Sequence, residues 1–482
     1  MSLDPRFVDR LRDIVGPDAL IAAPDDCLVY ECDMLVYYKG APDVVVLPRS
    51  TAEVAGVVRL CLAAGVPIVP RGAGTGIIGG AVASRGGVMV GVNRMDRILE
   101  LDPINRHAVV EPGVINLALT RAVETRGYFF APDPSSQMVS SIGGNAATNA
   151  GGPHALKHGS AVNHILGLEV VTGTGEVVWL GGLVPERPGY DLTGVVVGSE
   201  GTLGIITKVA VRLTRAGEAV ETALATFASI EVASEAVSAI IGQGIIPAAL
   251  EAMDEPVIRA VEAGLKAGYP ADAKAVLLIE LDGPAAEVAT QAEEVARICR
   301  AKGALTIRVA KDDRERADLW KGRKGAAGAF GRITHSYFIQ DCVVPRSRLP
   351  EVMAEVQAIA ARHGLVIANV FHAGDGNLHP TICYDERIPG QFEAALATCD
   401  EVLDACIEAG GVVTGEHGVG LDKVKKLARM FGPDDLAAMA AVRRVFDPRG
   451  LMNPDKVLPA GGTCLDPVAP GRHQAVPEGM WV

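Results

Sequence analysis

The chain has 482 residues, 49% of them hydrophobic but only 4% aromatic, with a formal charge of −13 and a pI near 5.3. That length predicts two or three domains, and the acidic balance excludes nucleic acid as a partner, because phosphate binding needs a basic surface. An anionic substrate must therefore meet a local positive centre, either a metal ion or a placed arginine.

Met1 to Leu20 mixes Asp and Arg with apolar residues and lacks the uninterrupted apolar core of a signal peptide. No apolar stretch reaches membrane-spanning length; Val237 to Met253 comes nearest and is broken by Gly, Gln, Pro and Glu. No transmembrane segment is expected, and the location expected is cytoplasmic, peripheral to the inner membrane only through a partner. The nine cysteines are scattered, odd in number and without C-x-x-C, as in a protein with reduced thiols. Cys399 and Cys406 share a helical face and read as packing residues.

Along the chain, Val44–Pro48 reads as a strand, and Ser50-Thr-Ala-Glu53 as a capping box opening a helix through Ala64. A strand at Val66–Pro70 runs into Arg71-Gly-Ala-Gly-Thr-Gly-Ile-Ile-Gly-Gly80. Strands follow at Gly87–Val92 and His107–Glu111, then a helix at Asn116–Arg126 and a Gly, Ser and Asn tract from Ser135 to Gly152. Leu166–Thr172, Glu176–Leu180 and Ile205–Leu213 are strands again. After Thr214, helix-like and strand-like segments alternate: Glu221–Phe227, Val232–Gly242, Val276–Leu281, Ala285–Lys302 and Leu305–Val309. This is α+β texture, predicting an antiparallel sheet with helices on one face. Helices at Gln391–Ala409 and Asp434–Val445 follow, and a Gly/Pro-rich tail from Ala460 reads as loop or partial disorder.

Gly74-Thr-Gly-Ile-Ile-Gly79 matches the G-x-G-x-x-G dinucleotide fingerprint, but the context is wrong. Ala81 to Gly87 is a poor helix, and Asp96 does not end a buried strand, so a nicotinamide site is not expected. The loop's backbone N–H groups can still cradle a pyrophosphate, with Arg71 adding charge.

The densest chemistry is His372-Ala-Gly-Asp-Gly-Asn-Leu-His379 with Gly415-Glu416-His417-Gly418. Asp375-Gly376 suits a two-residue primed turn between Leu365–Phe371 and Leu378–Tyr384. Counted outward from that turn, His372 pairs with His379, the imidazoles on one face with Cβ atoms about 4.5–5.5 Å apart. His372, His379 and Glu416 then offer two nitrogens and one oxygen to a divalent metal and leave positions open. Zn²⁺ suits such ligands, and Mn²⁺ or Fe²⁺ fit as well. Asp375 is expected to shape the turn rather than bind metal. A metal hydrolase could use the same set.

Pro70-Arg-Gly-Ala-Gly-Thr75, Pro132-Asp-Pro-Ser-Ser-Gln137, Ser141-Ile-Gly-Gly-Asn145 with Asn149-Ala-Gly-Gly152, and Gly198-Ser-Glu-Gly-Thr-Leu-Gly204 occur in that order. They resemble the PCMH-type flavin-binding domain of the vanillyl-alcohol oxidase and p-cresol methylhydroxylase superfamily. The two histidine segments and Phe446-Asp-Pro-Arg-Gly-Leu-Met-Asn-Pro-Asp-Lys456 resemble its D-2-hydroxy acid dehydrogenase branch, which includes glycolate oxidase flavin subunits, D-lactate dehydrogenases and D-2-hydroxyglutarate dehydrogenases. The resemblance spans roughly residues 25 to 459 and implies an α+β fold. Its parts would be a PCMH-type FAD-binding domain of two α+β subdomains at 1–214 and a cap domain with antiparallel sheet and helices at 215–433. A return to the FAD domain at 434–459 and a tail at 460–482 would complete the chain.

By that resemblance Arg71, Gly72, Ala73, Gly74, Thr75 and Gly80 hold the pyrophosphate of FAD. Pro132, Ser141, Gly144 and Asn145 line the ribityl chain and flavin, Glu200, Gly201 and Ile206 serve the adenosine side, and Asn453 approaches the ring. No histidine or cysteine stands where relatives attach flavin covalently, so the expected FAD is dissociable. The implied reaction is oxidation of a small D-2-hydroxy acid, glycolate or D-lactate, by hydride transfer to flavin N5. The metal would acidify the hydroxyl and His417 would take its proton. The segment Trp320-Lys-Gly-Arg323-Lys324 would clamp the carboxylate, with Arg323 favoured over Lys324 for its bidentate geometry; the alternative is a solvated helical charge run. Ala326 and Ala327, where larger-substrate relatives are polar, favour a small acid over 2-hydroxyglutarate. The alternatives are a D-2-hydroxyglutarate dehydrogenase, or a flavin subunit active only with iron–sulfur partners. The electron acceptor would be an electron-transfer protein, a quinone or an iron–sulfur subunit, and a homodimer is compatible with the sequence.

Overall fold

A computed structural model describes residues 3–270 and 272–459; the tail predicted from Ala460 lies outside the described residues. Three large sheets carry most of the described residues, and Tyr128–Phe129 pairs with Thr214–Arg215 in a fourth, two-stranded one. The first runs Leu20–Ile21, Val44–Val46, Val88–Gly91, Ile68–Arg71 across its width, its last three strands parallel. Val44–Val46 and Val88–Gly91 are buried on both faces, as the continuous apolar runs of a parallel sheet require. The helix Thr51–Ala64 covers this sheet, capped by the Ser50 hydroxyl, which accepts the Glu53 N–H.

The second sheet is antiparallel, in the order Ile98–Asp102, His107–Val110, Gly204–Arg212, Ile165–Thr172, Val177–Gly181. Its first strand had no counterpart in the sequence reading. Ile98–Asp102 lies at an edge, has no buried residue and carries Glu100 and Asp102, so it lacks the buried alternation that marks a strand. The Gly/Ser/Asn tract likewise hides a helix, Ile142–Thr148, N-capped by the Ser141 hydroxyl, which accepts the Gly144 N–H (3.2 Å). Its glycines depress helix propensity, and packing supplies what propensity does not.

The third sheet is antiparallel throughout. Thr306–Val309, Ala219–Phe227, Ala275–Gly283, Ala249–Asp254 and Val366–His372 lie side by side, and short strands continue it at Asn377–Leu378 and Cys342–Val343. Helices cover both faces, not one. Ile230–Gly242, Ala285–Ala301, Leu349–Arg362 and Gln391–Glu408 pack on the first face. Glu255–Leu265 and the end of Asp313–Lys324 pack on the other. Burial of every residue from Ala275 to Leu281 is the consequence. The chain finally returns beside Ile68, whose N–H donates to Leu451 O (2.9 Å) and whose carbonyl accepts the Asn453 N–H (2.7 Å).

Candidate active site

Strand Val366–His372 turns through four residues, Ala373 to Gly376, not two. His372 pairs with Asn377 and Asn369 with Pro380, so the expected pairing of His372 with His379 is displaced by two residues. A primed two-residue turn needs positive φ at both centres. Gly376 has it (φ 78°), but Asp375 does not, and the Asp375 carboxylate instead accepts the Asn377 N–H (3.2 Å). A slip of one residue would have sent the second imidazole to the other face; a slip of two keeps the face and makes the pair diagonal. The His372 and His379 rings accordingly lie 5.0 Å apart, perpendicular to each other.

Glu416 arrives on the loop after Val413. Its Oε1 lies 3.0 Å from His372 Nε2 and 3.2 Å from His379 Nε2, and its Oε2 accepts the Gly151 N–H (3.1 Å). Bonds of about 2.0–2.1 Å at tetrahedral angles separate zinc ligands by about 3.3 Å, so the three atoms fit one small divalent ion. Burial opposes ionisation, but the imidazoles outweigh it and hold the Glu416 carboxyl well below its usual range, so it is an anion that could hold a cation.

Two buried acids absent from the sequence reading organise this set. Glu251, fully buried on the adjacent strand, accepts from His372 Nδ1 (2.8 Å) and fixes the tautomer that leaves Nε2 for metal. Asp341 accepts the backbone N–H groups of Gly415 (3.0 Å), Glu416 (3.2 Å) and His417 (3.0 Å) and the Thr414 hydroxyl. Curled around that carboxylate, the loop turns Glu416 and His417 into the same cavity, where an extended strand would have sent them apart. The His417 ring stacks on His379 at 4.9 Å. Its Nδ1 and that of His379 each lie 3.8 Å from Asp341, buried and without a hydrogen-bond partner. Burial, opposed by Asp341, lowers the His417 pKa to about 4, so the ring is neutral at pH 7, with one ring nitrogen carrying a lone pair.

Arg323 lines the cavity, but its guanidinium is already matched by Glu251 (2.5 Å). Of the two alanines expected beside the substrate, only Ala327 borders the cavity; Ala326 is buried in the apolar core behind it.

The same cavity, about 490 Å³, continues to the glycine loops. Arg71, Gly72, Ala73, Gly74, Thr75, Gly80, Ser141, Gly144, Asn145, Glu200, Gly201 and Ile206 all line it. It is a surface of backbone: a Cβ at Gly72 would fall 2.7 Å from Ser141 Oγ, and one at Gly143 2.5 Å from Pro112 Cβ. Residues 72–87 contain no helix, in keeping with the rejected nicotinamide fingerprint. Asp33, which borders the Arg71–Thr75 loop in this cavity, is pushed up to about pKa 6 by burial. This wall fits a flavin dinucleotide.

Three expected contacts take other forms. Pro132 lies behind the cavity, its carbonyl accepting from Asn116 Nδ2 (2.9 Å). Asn453 does not reach the cavity either, because its Nδ2 donates to Gly80 O (2.9 Å) and Glu200 O (2.7 Å). The Glu200 carboxylate turns toward the histidine loop and accepts the N–H groups of Val419 (2.6 Å) and Gly420 (2.8 Å), joining the two walls.

Family models match twice: "FAD binding domain" over residues 42–181, and "FAD linked oxidases, C-terminal domain" over residues 217–457. The chain is 43% identical over 456 residues to the glycolate oxidase subunit GlcD of Escherichia coli (strain K12), covering 95% of this chain and 91% of that one. It is 40% identical to GlcD of Bacillus subtilis (strain 168), with 93% and 96% covered. Identity to the D-lactate dehydrogenase of Anaerostipes hadrus is 33%, with 95% and 98% covered. Among solved structures, p-cresol methylhydroxylase with substrate bound superposes with a TM-score of 0.80 at 19% identity, covering 94% of this chain and 96% of that one, and so shares the fold.

Proposed function

The chain belongs to the FAD-linked oxidases, and from that premise we propose that it oxidises a small D-2-hydroxy acid, glycolate or D-lactate, to the 2-oxo acid. The observation that carries this reading is the single cavity whose one wall is glycine backbone suited to FAD and whose other is His372, His379, Glu416 and His417. The names of the relatives support a 2-hydroxy acid as the substrate class. We read 1–214 as the FAD-binding unit, 215–433 as the cap, and 434–459 as a return to the first unit.

His372, His379 and Glu416 would hold the metal, with zinc favoured and manganese or iron compatible; Arg71 to Thr75 and Ser141 to Asn145 would hold FAD. Bound together, these groups supply a Lewis acid for the hydroxyl and a hydride acceptor for the carbon. Neutral His417 takes the hydroxyl proton on Nε2, its Nδ1 facing Asp341. Glu251 keeps His372 Nε2 directed inward. Arg323 orients the carboxylate from the cavity wall. Ala327, Ile339 and Val370 close the substrate end with apolar surface, which favours a short side chain over a second carboxylate.

Anaerobic bleaching of the flavin by a panel of D- and L-2-hydroxy acids, before and after chelation, tests the reading. Glycolate or D-lactate should bleach it, and metal removal should slow the bleaching. Bleaching by L-acids alone, or an unchanged rate after demetallation, would contradict the site. The relatives named as subunits support a second reading, in which electrons leave through a partner protein.

A further inference from the structure

The cofactor contacts proposed for the glycine wall begin at Arg71, yet a segment well before it also borders the cavity. The Gly40 N–H donates to Glu31 O (2.8 Å) and Lys39 pairs with Glu31, so residues 31–40 leave and return at one point. A chain closed on itself in this way is an Ω-loop, a compact unit held by its own contacts. One flank grips the glycine wall. Arg71 Nη1 donates to Cys32 O (2.8 Å), its guanidinium lies 5.6 Å from the Tyr30 ring, and the Met34 N–H donates to Gly76 O (2.9 Å). With glycine at 72, 74 and 76, the stretch from Arg71 to Gly76 is costly to order, and these bonds restrain both of its ends.

The other flank is buried in the core of the large antiparallel sheet, which Leu35, Tyr37 and Tyr38 join. The Tyr37 hydroxyl donates to Tyr337 O (3.0 Å), and its ring lies 4.2 Å from that of Phe338. The Tyr38 hydroxyl reaches Asp422 (3.4 Å), just beyond the histidine loop. Between the flanks, Asp33 and Met34 border the cavity. Asp33 Oδ1 accepts the Leu35 N–H (2.9 Å) and shapes the turn. Its Oδ2 is buried without a hydrogen-bond partner; Arg71 and the Gly79 and Gly80 N–H groups only ease its charge. A buried carboxylate oxygen left unbonded is costly, and the space that Asp33 borders is the cavity itself.

We infer that the loop of residues 31–40 is a clasp on the flavin dinucleotide. Asp33 Oδ2 accepts a hydrogen bond from a hydroxyl or N–H group of the cofactor, and Tyr37 is the positioning residue that anchors the clasp in the cap. The inference rests on the FAD reading above. Retention of the cofactor then depends on the cap as well as on the glycine wall, because the chain that touches both is one closed loop.

Release of FAD from the loaded protein, followed by the rise in flavin fluorescence on dilution, tests this. A hydrogen bond to a charged group is worth about 10- to 100-fold in binding. Asp33→Asn keeps an oxygen for the Leu35 turn and removes the charged acceptor, so release should quicken by about that factor, with metal content unchanged by elemental analysis. Tyr37→Ala should quicken release about tenfold in the wild-type background but less than about threefold in Asp33→Asn, because both changes act through one contact. A full tenfold effect in both backgrounds would make Tyr37 merely structural and overturn its part. If Tyr37→Ala does not fold, Tyr37→Phe keeps the ring, loses only the bond to Tyr337 O, and should quicken release about threefold; a wild-type rate there overturns the anchor. Release from Asp33→Asn within about threefold of wild type overturns the clasp alone. A wild-type protein that takes up no flavin overturns the FAD reading with it.

Discussion

The two walls of one cavity are built by opposite means. Around Arg71–Thr75 and Ser141–Asn145 the surface works through missing side chains, since a Cβ at Gly72 or Gly143 would strike Ser141 or Pro112. Around His372, His379, Glu416 and His417 it works through side chains held by fully buried acids, Glu251 and Asp341. A wall of backbone binds by shape and is spoiled by addition. A wall of paired charges acts by chemistry and is spoiled by subtraction. If this contrast is right, variants of the two walls should fail in different ways.

The largest effect should come from subtraction. His417→Gln leaves the ligand set intact and removes the proton acceptor, so kcat should fall by about 10²–10⁴ with flavin content unchanged. Rapid-mixing measurement of flavin reduction checks this; a reduction rate within threefold of wild type would remove His417 from the chemistry. The next largest should come from addition. Gly143→Ala drives a methyl against Pro112 at 2.5 Å, a rigid neighbour, and overpacking of this kind costs about 1–3 kcal/mol. Flavin affinity should fall about 10- to 100-fold, while metal content, measured by elemental analysis, stays whole. Loss of metal in Gly143→Ala, or of flavin in His417→Gln, would break the contrast.

The same contrast decides what could be read from sequence. The glycine wall is legible because absent side chains come in runs: Arg71–Thr75, Ser141–Asn145 and Gly198–Gly204 reach the cavity as local motifs. The proposed metal ligands are legible because glycines frame them. Their supports are not. Glu251 sits in the apolar strand Ala249–Asp254, and Asp341 stands alone before Cys342; each meets its histidine only through tertiary pairing. The signal that was present was chemical, since an acid inside a buried strand must find a cation or a donor. Turn length was the other loss. Asp375-Gly376 suits a primed turn, yet the Asp375 side chain accepts the Asn377 N–H and supports a four-residue loop instead. The histidines survived that error because a slip of two residues keeps the face.

Glu200 belongs to both walls, rooted among the glycines and accepting two N–H groups from the histidine loop. It should give the smallest effect. Burial outweighs those hydrogen bonds and lifts its pKa from 4.5 to about 7. Being raised in the folded state, it leaves stability intact below about pH 4.5 and lowers it progressively as pH climbs to about 7, with no further loss above. The linkage is worth roughly 3 kcal/mol, about 3 °C in Tm for a chain of this length. Glu200→Gln cannot ionise, so thermal melts of the flavin-loaded protein should lose about that much of the decline between pH 5 and 7. Asp254, raised to about 7 by the same cause, keeps its own share in both proteins. A Tm–pH slope unchanged in Glu200→Gln would mean that the carboxylate is ionised at the seam throughout. The two walls would then be joined by charge rather than by a neutral, shape-bound contact.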